Sequence, residues 1–590
     1  MKKRFHFLKP YLQEHKIPIL WGWLFVMAST AVDQVNPWMI KLILDRLGHG
    51  EGMSRVAQCL AAILAATGFS CALLYFQRLW VIQASRQMEY TLRRDLFSGL
   101  MAQPKAFFDK QTVGDLMSRA TNDLDRIRDM VGPVVLHLAR MGFLLIFTSF
   151  CVGMLHPKLL LVGLLPSLMM PVIANIFLSR MYAYFSGIQK SLSSLNAFVQ
   201  DTLTGIQVVK GFGRSLPFEE KFRIASDDLR RASLKVARFN SAIWPAVGVL
   251  GTVGIISTVW FGGRMVASGE ITLGTLSAAI LYLLRLQFPL IGLGWVASMI
   301  QRANVSLDRL IRLQESFVIR SPITTLVEGD ATSVTPATVF QSLEVRNISF
   351  SYDAKTTVLE GINFSLRPGY TLGIVGPTGS GKTTLMHILC GLYTPPGGTL
   401  LLNGNSREKI ADADWLRLFS YAPQDGFLFS TTIRENILFG GSNEGNPDAE
   451  RAAEWAGLAR DLPQFPRGYE SLLGEKGINL SGGQRQRVAL ARALLSPAPI
   501  LCLDDTLSAL DAETEEAVLE NLRSNLHASK DRCLIIAAHR YSAVMHCDQI
   551  LYLDHGRILE KGTHAELISQ NGAYAGVWEK QRLSESLEKA

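Results

Sequence analysis

The sequence predicts a chain of two unlike parts: an α-helical membrane domain of six transmembrane helices, then an α/β domain built on a parallel sheet. Three observations carry this reading. Six apolar runs of bilayer length fall before residue 320, the composition shifts there to ordinary charge density, and beyond it short β-type runs alternate with helical ones. At 590 residues the chain is too long for one compact core. Hydrophobic residues make up 48% of it and charged residues only 19%, with a mean hydropathy of +0.19. The formal charge is +8. In so apolar a chain that excess fits the cytoplasmic flanks of membrane helices better than a nucleic-acid surface, and no nucleic-acid partner is expected.

The candidate spans are 17–40, 57–80, 132–155, 157–181, 241–264 and 271–297. A buried core helix would explain any one of them; six in succession argue for a bilayer. The start, Met1-Lys-Lys-Arg-Phe-His-Phe-Leu-Lys9, is basic and no cleavage pattern follows the first apolar run, so a retained helix with a cytoplasmic N-terminus is expected. Residues 81–131 and 182–240 are long, charged and helix-like, whereas His156-Pro157 is barely a turn. With the N-terminus inside, both long segments fall on the cytoplasmic side. Arg94, Lys105, Lys110, Arg119, Arg126, Lys210 and Arg214 obey the positive-inside rule there. An even number of spans returns the chain to the cytoplasm.

Residues 318–340 are rich in Thr, Ser and Pro and read as a linker between domains 1–317 and 341–590. Strands are expected at Leu343–Ile348, Leu372–Val375, Ile500–Leu503, Cys533–Ala537 and Gln549–Leu553. The seven cysteines are scattered without metal spacing and read as small apolar residues.

Gly376-Pro377-Thr378-Gly379-Ser380-Gly381-Lys382-Thr383 follows a strand and opens a helix at Thr384, the context a P-loop needs. Its glycines free backbone N–H groups to wrap phosphates, Lys382 reaches the β- and γ-phosphates, and the Thr383 hydroxyl suits Mg²⁺. The buried strand Ile500–Asp504 ends in a carboxylate that can supply a second oxygen to the metal. ATP and Mg²⁺ are the expected cofactors.

Between these motifs lies Leu480-Ser481-Gly482-Gly483-Gln484-Arg-Gln-Arg487, and here the chain resembles the ABC transporter family over almost its whole length. The resemblance implies that this signature reaches across a dimer to the γ-phosphate on the partner's P-loop. It also implies that Tyr352 stacks on adenine and that Gln424 senses Mg²⁺ and the membrane domain. Gly474-Glu475-Lys476-Gly477 and Ser508-Ala-Leu-Asp511 resemble the loop before the signature and the D-loop, and His539 resembles the switch histidine. Pro104–Asp109 with Gly114–Asp123, and Gly205–Gly213, resemble the two coupling loops of the exporter-type subgroup. One six-helix unit fused to one ATPase is a half-transporter, so a dimer is implied.

One position departs from the pattern. Asp505 stands where most active members carry the Glu that orients or deprotonates the attacking water. A carboxylate set back by about 1 Å can cost on the order of 100-fold in rate. Asp505 resembles the substitution in one subunit of heterodimeric exporters, including the multidrug-resistance-like (Mdl-type) half-transporters. A heterodimer with a second ABC half-transporter is therefore expected in preference to a slow homodimer, exporting small hydrophobic or amphipathic compounds across the inner (plasma) membrane. An importer on the same fold, as in siderophore systems, and an ATP-gated channel or regulator remain open alternatives. Asp33, Arg140 and Arg285 lie in or near apolar runs, where ionisable groups are expensive and often functional.

Overall fold

The computed structural model describes residues 2–49, 52–317, 340–353, 356–441, 448–474, 477–508, 510, 512–528 and 532–588. Most of the expected linker, with Glu475, Lys476, Ala509 and Asp511 of the two expected loops, lies outside the described residues. The chain forms two compact units, Met1–Met101 with Gln111–Phe317 and Ala102–Lys110 with Val318–Ala590.

In the first unit every expected span lies on helix. Lys16–Asp33 and Val35–Gly48 share the first span, and Met53–Met101, Val135–Leu155, Pro157–Thr204, Ser215–Ala267 and Leu273–Glu315 carry the other five. Among the described residues, Met53–Met101 and Val113–Leu155 are long and apolar enough by themselves to cross a bilayer. The 49 residues of Met53–Met101 reach about 75 Å, far beyond an apolar core of about 30 Å. The charged segments after spans two and four are thus continuations of the membrane helices. His156 is extended (φ −169°, ψ 124°), its Nδ1 accepts the Lys158 N–H at 3.3 Å, and Pro157 opens the next helix, which makes the turn tight. Leu64 and Leu161 expose 75% and 69% of their surface, as lipid-facing residues do. At Gly22 the helices approach so closely that a Cβ would lie 2.0 Å from Val81 Cγ2.

The first span has a local cause for its break at Gln34. Pro37 has no N–H, so the Asp33 carbonyl four residues earlier has no helical donor. The Arg285 guanidinium donates to that carbonyl instead, and Tyr282 Oη donates to the next one, on Gln34, at 2.6 Å. The Asp33 carboxylate accepts Ser70 Oγ at 2.6 Å, with Arg140 at 3.9 Å. Asp33 and Arg285 thus meet needs created inside the helix bundle.

Among its described residues the second unit holds two sheets where the sequence suggests one. The six-stranded sheet runs β10-β9-β3-β8-β7-β6, from strands β3 (Thr371–Val375), β6 (Phe419–Ala422), β7 (Ile500–Asp504), β8 (Cys533–Ala537), β9 (Gln549–Asp554) and β10 (Arg557–Gly562). All its pairings are parallel except β9 with β10. The second sheet is antiparallel, ordered β2-β1-β4-β5, from β1 (Leu343–Ser351), β2 (Thr357–Leu366), β4 (Gly397–Leu402) and β5 (Asn405–Ser406). The Leu343–Ile348 run therefore belongs to a sheet with one wet face, and its side chains alternate between buried and less buried over most of β1. In β7 and β8 all five residues are buried, and the central parallel strands deliver the P-loop and Asp504 at their C-terminal ends.

Candidate nucleotide site

The loop after β3 is shaped by two close approaches. A Cβ at Gly376 would lie 2.0 Å from the Leu553 carbonyl oxygen, and Gly381, at φ +103°, would meet Leu359 at 2.6 Å. Helix Lys382–Leu389 starts from this loop and aims its free N–H groups into it. Lys382 is buried, with Nζ donating to the carbonyls of Gly376 (2.8 Å) and Pro377 (3.0 Å). Burial lowers its pKa against the pull of Asp505 and Asp504. A phosphate would meet an ammonium already held over the loop.

Thr383 Oγ1 donates to Asp504 Oδ1 at 3.2 Å, and Tyr421 Oη donates to Asp504 Oδ2 at 3.0 Å. Asp504 is 1% exposed, and burial raises its pKa despite both hydrogen bonds. A buried carboxylate beside a hydroxyl is an oxygen pair that suits a hard cation such as Mg²⁺. Asp505 follows in a left-handed conformation, φ +50°, which aspartate tolerates better than most residues. Its carboxylate accepts Gln424 Nε2 at 3.3 Å and the backbone N–H of His539 at 3.3 Å. The expected catalytic residues Asp505, Gln424 and His539 are thus neighbours, with His539 joined through its backbone.

Tyr352 is half exposed, packs edge-on against Phe350 and Tyr393, and shares a hydrogen bond of 3.0 Å with Thr384 Oγ1. Thr378, Gly379 and Ser380 complete the loop, with Gly379 at φ +83°. Ser481 caps helix Gly482–Leu495. Its Oγ accepts the Gln484 N–H at 3.2 Å, and Gln484 Oε1 accepts the Ser481 N–H at 3.1 Å. Gln484 is therefore spent on the cap, while Ser481 and Gly482 are exposed at the start of the helix with Gly483 partly so. Sequence reasoning missed Tyr421, His387 and Tyr393; a tyrosine three residues before Gln424, at the end of β6, was the available signal.

Comparison with known proteins agrees with this geometry. The family profile "ABC transporter transmembrane region" matches residues 19–290, and the profile "ABC transporter" matches residues 359–508. The chain is 34% identical over 565 residues, 94% of its length and 93% of the relative's, to multidrug resistance-like ATP-binding protein MdlA of Escherichia coli (strain K12). The chain belongs to the ABC transporter family. It is also 30% identical to the ATP-dependent lipid A-core flippase of Syntrophus aciditrophicus (strain SB), over 93% of this chain and 88% of that one. A bacterial Atm1-family ABC exporter solved with ATP bound superposes with a TM-score of 0.77 at 25% identity, covering 97% and 99% of the two chains. This ABC half-transporter is thus membrane-embedded, with an exporter-type helical domain fused to an ATPase that hydrolyses ATP to drive transport. Half-transporters of this kind work as dimers.

Proposed function

We propose that this chain is the catalytically weaker half of a heterodimeric exporter of hydrophobic or amphipathic compounds in the inner membrane, with its N-terminus and ATPase unit cytoplasmic. The observation that carries the reading is Asp505. It stands at the position of the water-activating carboxylate, and its short arm is engaged by Gln424 Nε2 and the His539 N–H. A base held back by about one methylene aligns water poorly. The relatives named for multidrug resistance and for lipid A-core flipping support a substrate with a large apolar part.

In this mechanism Tyr352 stacks on adenine and the loop Gly376–Thr384 with Lys382 binds the phosphates, while Thr383, Gln424 and Asp504 would hold Mg²⁺, whose charge would offset that of the phosphates. Ser481, Gly482 and Gly483 present a helix N-terminus to the γ-phosphate bound by the partner, with Gln484 fixing that turn. ATP-driven pairing of two nucleotide units opens the membrane cavity outward, and hydrolysis at the stronger site resets it.

The test is ATP turnover of the chain alone, of its Asp505→Glu variant and of the chain co-expressed with a second half-transporter carrying Glu at that position. The chain alone is expected to bind ATP and turn it over slowly, Asp505→Glu to gain several-fold, and the pair to be fastest. Equal rates for chain and pair would replace the heterodimer by a homodimer.

A further inference from the structure

Asp504 has two oxygens with separate partners. Oδ1 faces Thr383 and Oδ2 is held by Tyr421 Oη. With Asp504 ionised, the single tyrosine proton goes to the carboxylate, so the 3.1 Å contact between Tyr421 Oη and His387 Nε2 has the imidazole N–H as donor. His387 Nδ1 then carries the bare lone pair, and it is buried without a hydrogen-bond partner among the described residues. Burial, aided by the Lys105 charge, lowers His387 to about 4, which keeps the ring neutral.

The His387 ring packs on Tyr393, centroids 5.7 Å apart. Lys105 Nζ donates to the Tyr393 hydroxyl at 2.9 Å, and that hydroxyl donates to Asp109, which also accepts Lys105 at 3.1 Å. Lys105 and Asp109 belong to Ala102–Lys110, the stretch of the first cytoplasmic loop that folds with the nucleotide unit. Tyr393 also lies edge-on to Tyr352, at 5.3 Å. One ring thus touches the loop segment, the expected adenine platform and the histidine behind the metal carboxylate.

We propose that His387 and Tyr421 are positioning residues that set the orientation of Asp504 toward the metal, and that Tyr393 links this setting to the Lys105–Asp109 segment. The proposal deepens the reading above, since it rests on Mg²⁺ binding at this chain's own site. If the hydroxyl of Tyr421 is removed, the carboxylate can turn toward Thr383 or Lys382 and presents a less defined oxygen to the cation.

The experiment uses the full chain in lipid nanodiscs with Mn²⁺ as the probe. Metal-free binding of a fluorescent ATP analogue is measured first, then Mn²⁺ affinity by electron paramagnetic resonance with saturating non-hydrolysable ATP. Tyr421→Phe is expected to weaken Mn²⁺ about 10-fold, the scale of supporting-residue losses at metal sites, with metal-free nucleotide affinity within twofold of the unaltered chain. His387→Phe, which keeps a ring and loses the donor, is expected to weaken Mn²⁺ severalfold, and so is Tyr393→Phe. The Tyr393→Phe/Tyr421→Phe double variant is expected to be no weaker than Tyr421→Phe alone. Unchanged Mn²⁺ affinity in Tyr421→Phe and His387→Phe overturns the proposal, as does an equal loss of metal-free nucleotide binding. Additive losses in the double variant overturn the link to the loop segment. No Mn²⁺ binding by the unaltered chain would instead overturn the metal site itself.

Discussion

In the nucleotide unit the groups that would meet ATP come largely from one stretch, Gly376 to Thr384, closed by Asp504 at the end of β7, which β8 separates from β3 in the sheet. In the membrane unit, contacts at the break in the first span join residues far apart in sequence. Tyr282 reaches the Gln34 carbonyl across 248 residues, and Thr148 Oγ1 reaches the Gln34 side chain across 114. The difference follows from the solvent. In the nucleotide unit, outside hydrocarbon, a turn of backbone can present bare N–H groups to water or phosphate, so a short loop suffices as a site. In hydrocarbon each orphaned carbonyl needs a protein donor, and a rigid helix must find it on another helix. Phosphate chemistry is therefore local and helix repair is distant, and substitutions should act differently in the two units.

The largest effect is expected at the exposed start of helix Gly482–Leu495. A Cβ at Gly482 meets nothing within 4 Å among the described residues, so Gly482→Val should fold normally. It would still obstruct the surface that the resemblance assigns to the partner's γ-phosphate. The assembled transporter is expected to lose about 100-fold or more in ATP turnover, the scale of removing a preorganised donor, with no change in thermal midpoint. Near-normal turnover would show that the signature does not act across the dimer. A lowered midpoint would mean that the residue matters inside its own chain.

This contrast governs how much could be read without coordinates. The P-loop was legible because Gly376–Thr383 lies between an apolar run and a helix, and all its chemistry is contiguous. Asp504 was legible as the polar end of an otherwise apolar strand. The antiparallel sheet was not, because β2 (Thr357–Leu366) alternates polar and apolar residues on a half-wet face and lacks the solid apolar run of β7. Tyr421, His387 and Tyr393 were equally silent, since their meaning lies in contacts spanning up to 288 residues. Arg285 was visible as an expensive charge in an apolar run. Its use, meeting a carbonyl orphaned by Pro37, needed the pairing of two helices.

That pairing gives the second prediction, of middle size. Arg285→Leu leaves the Asp33 carbonyl without its donor inside the bundle and should lower stability in lipid or detergent by about 1–3 kcal/mol. Pro37→Ala restores an N–H at the position four residues on, where the helix itself can serve that carbonyl. The double variant Pro37→Ala/Arg285→Leu is therefore expected to recover most of the thermal midpoint lost by Arg285→Leu. Without recovery, Arg285 would be held for another purpose, such as contact with the transported compound. A transport assay on the rescued double variant separates the two roles.

The smallest effect sharpens the same point one residue further along. Tyr282 Oη donates to the Gln34 carbonyl at 2.6 Å, deep in the membrane unit, and looks as important as the arginine contact. The two carbonyls nevertheless differ. The residue four beyond Asp33 is a proline, whereas the residue four beyond Gln34 is Trp38, which keeps its N–H. The Gln34 carbonyl has two lone pairs and a helical N–H four residues on that can serve it once the phenol is gone. Tyr282→Phe also keeps the ring that fills the cluster with Val152, Leu159 and Ala279. The expected cost is therefore that of one interhelical hydrogen bond in a membrane protein, about 0.6 kcal/mol, well below the cost of Arg285→Leu. Thermal unfolding of both variants side by side in the same lipid measures the ratio. If Tyr282→Phe proves as damaging as Arg285→Leu, the proline does not set the demand for donors at this break, and the account of the first span's interruption at Gln34 falls with it.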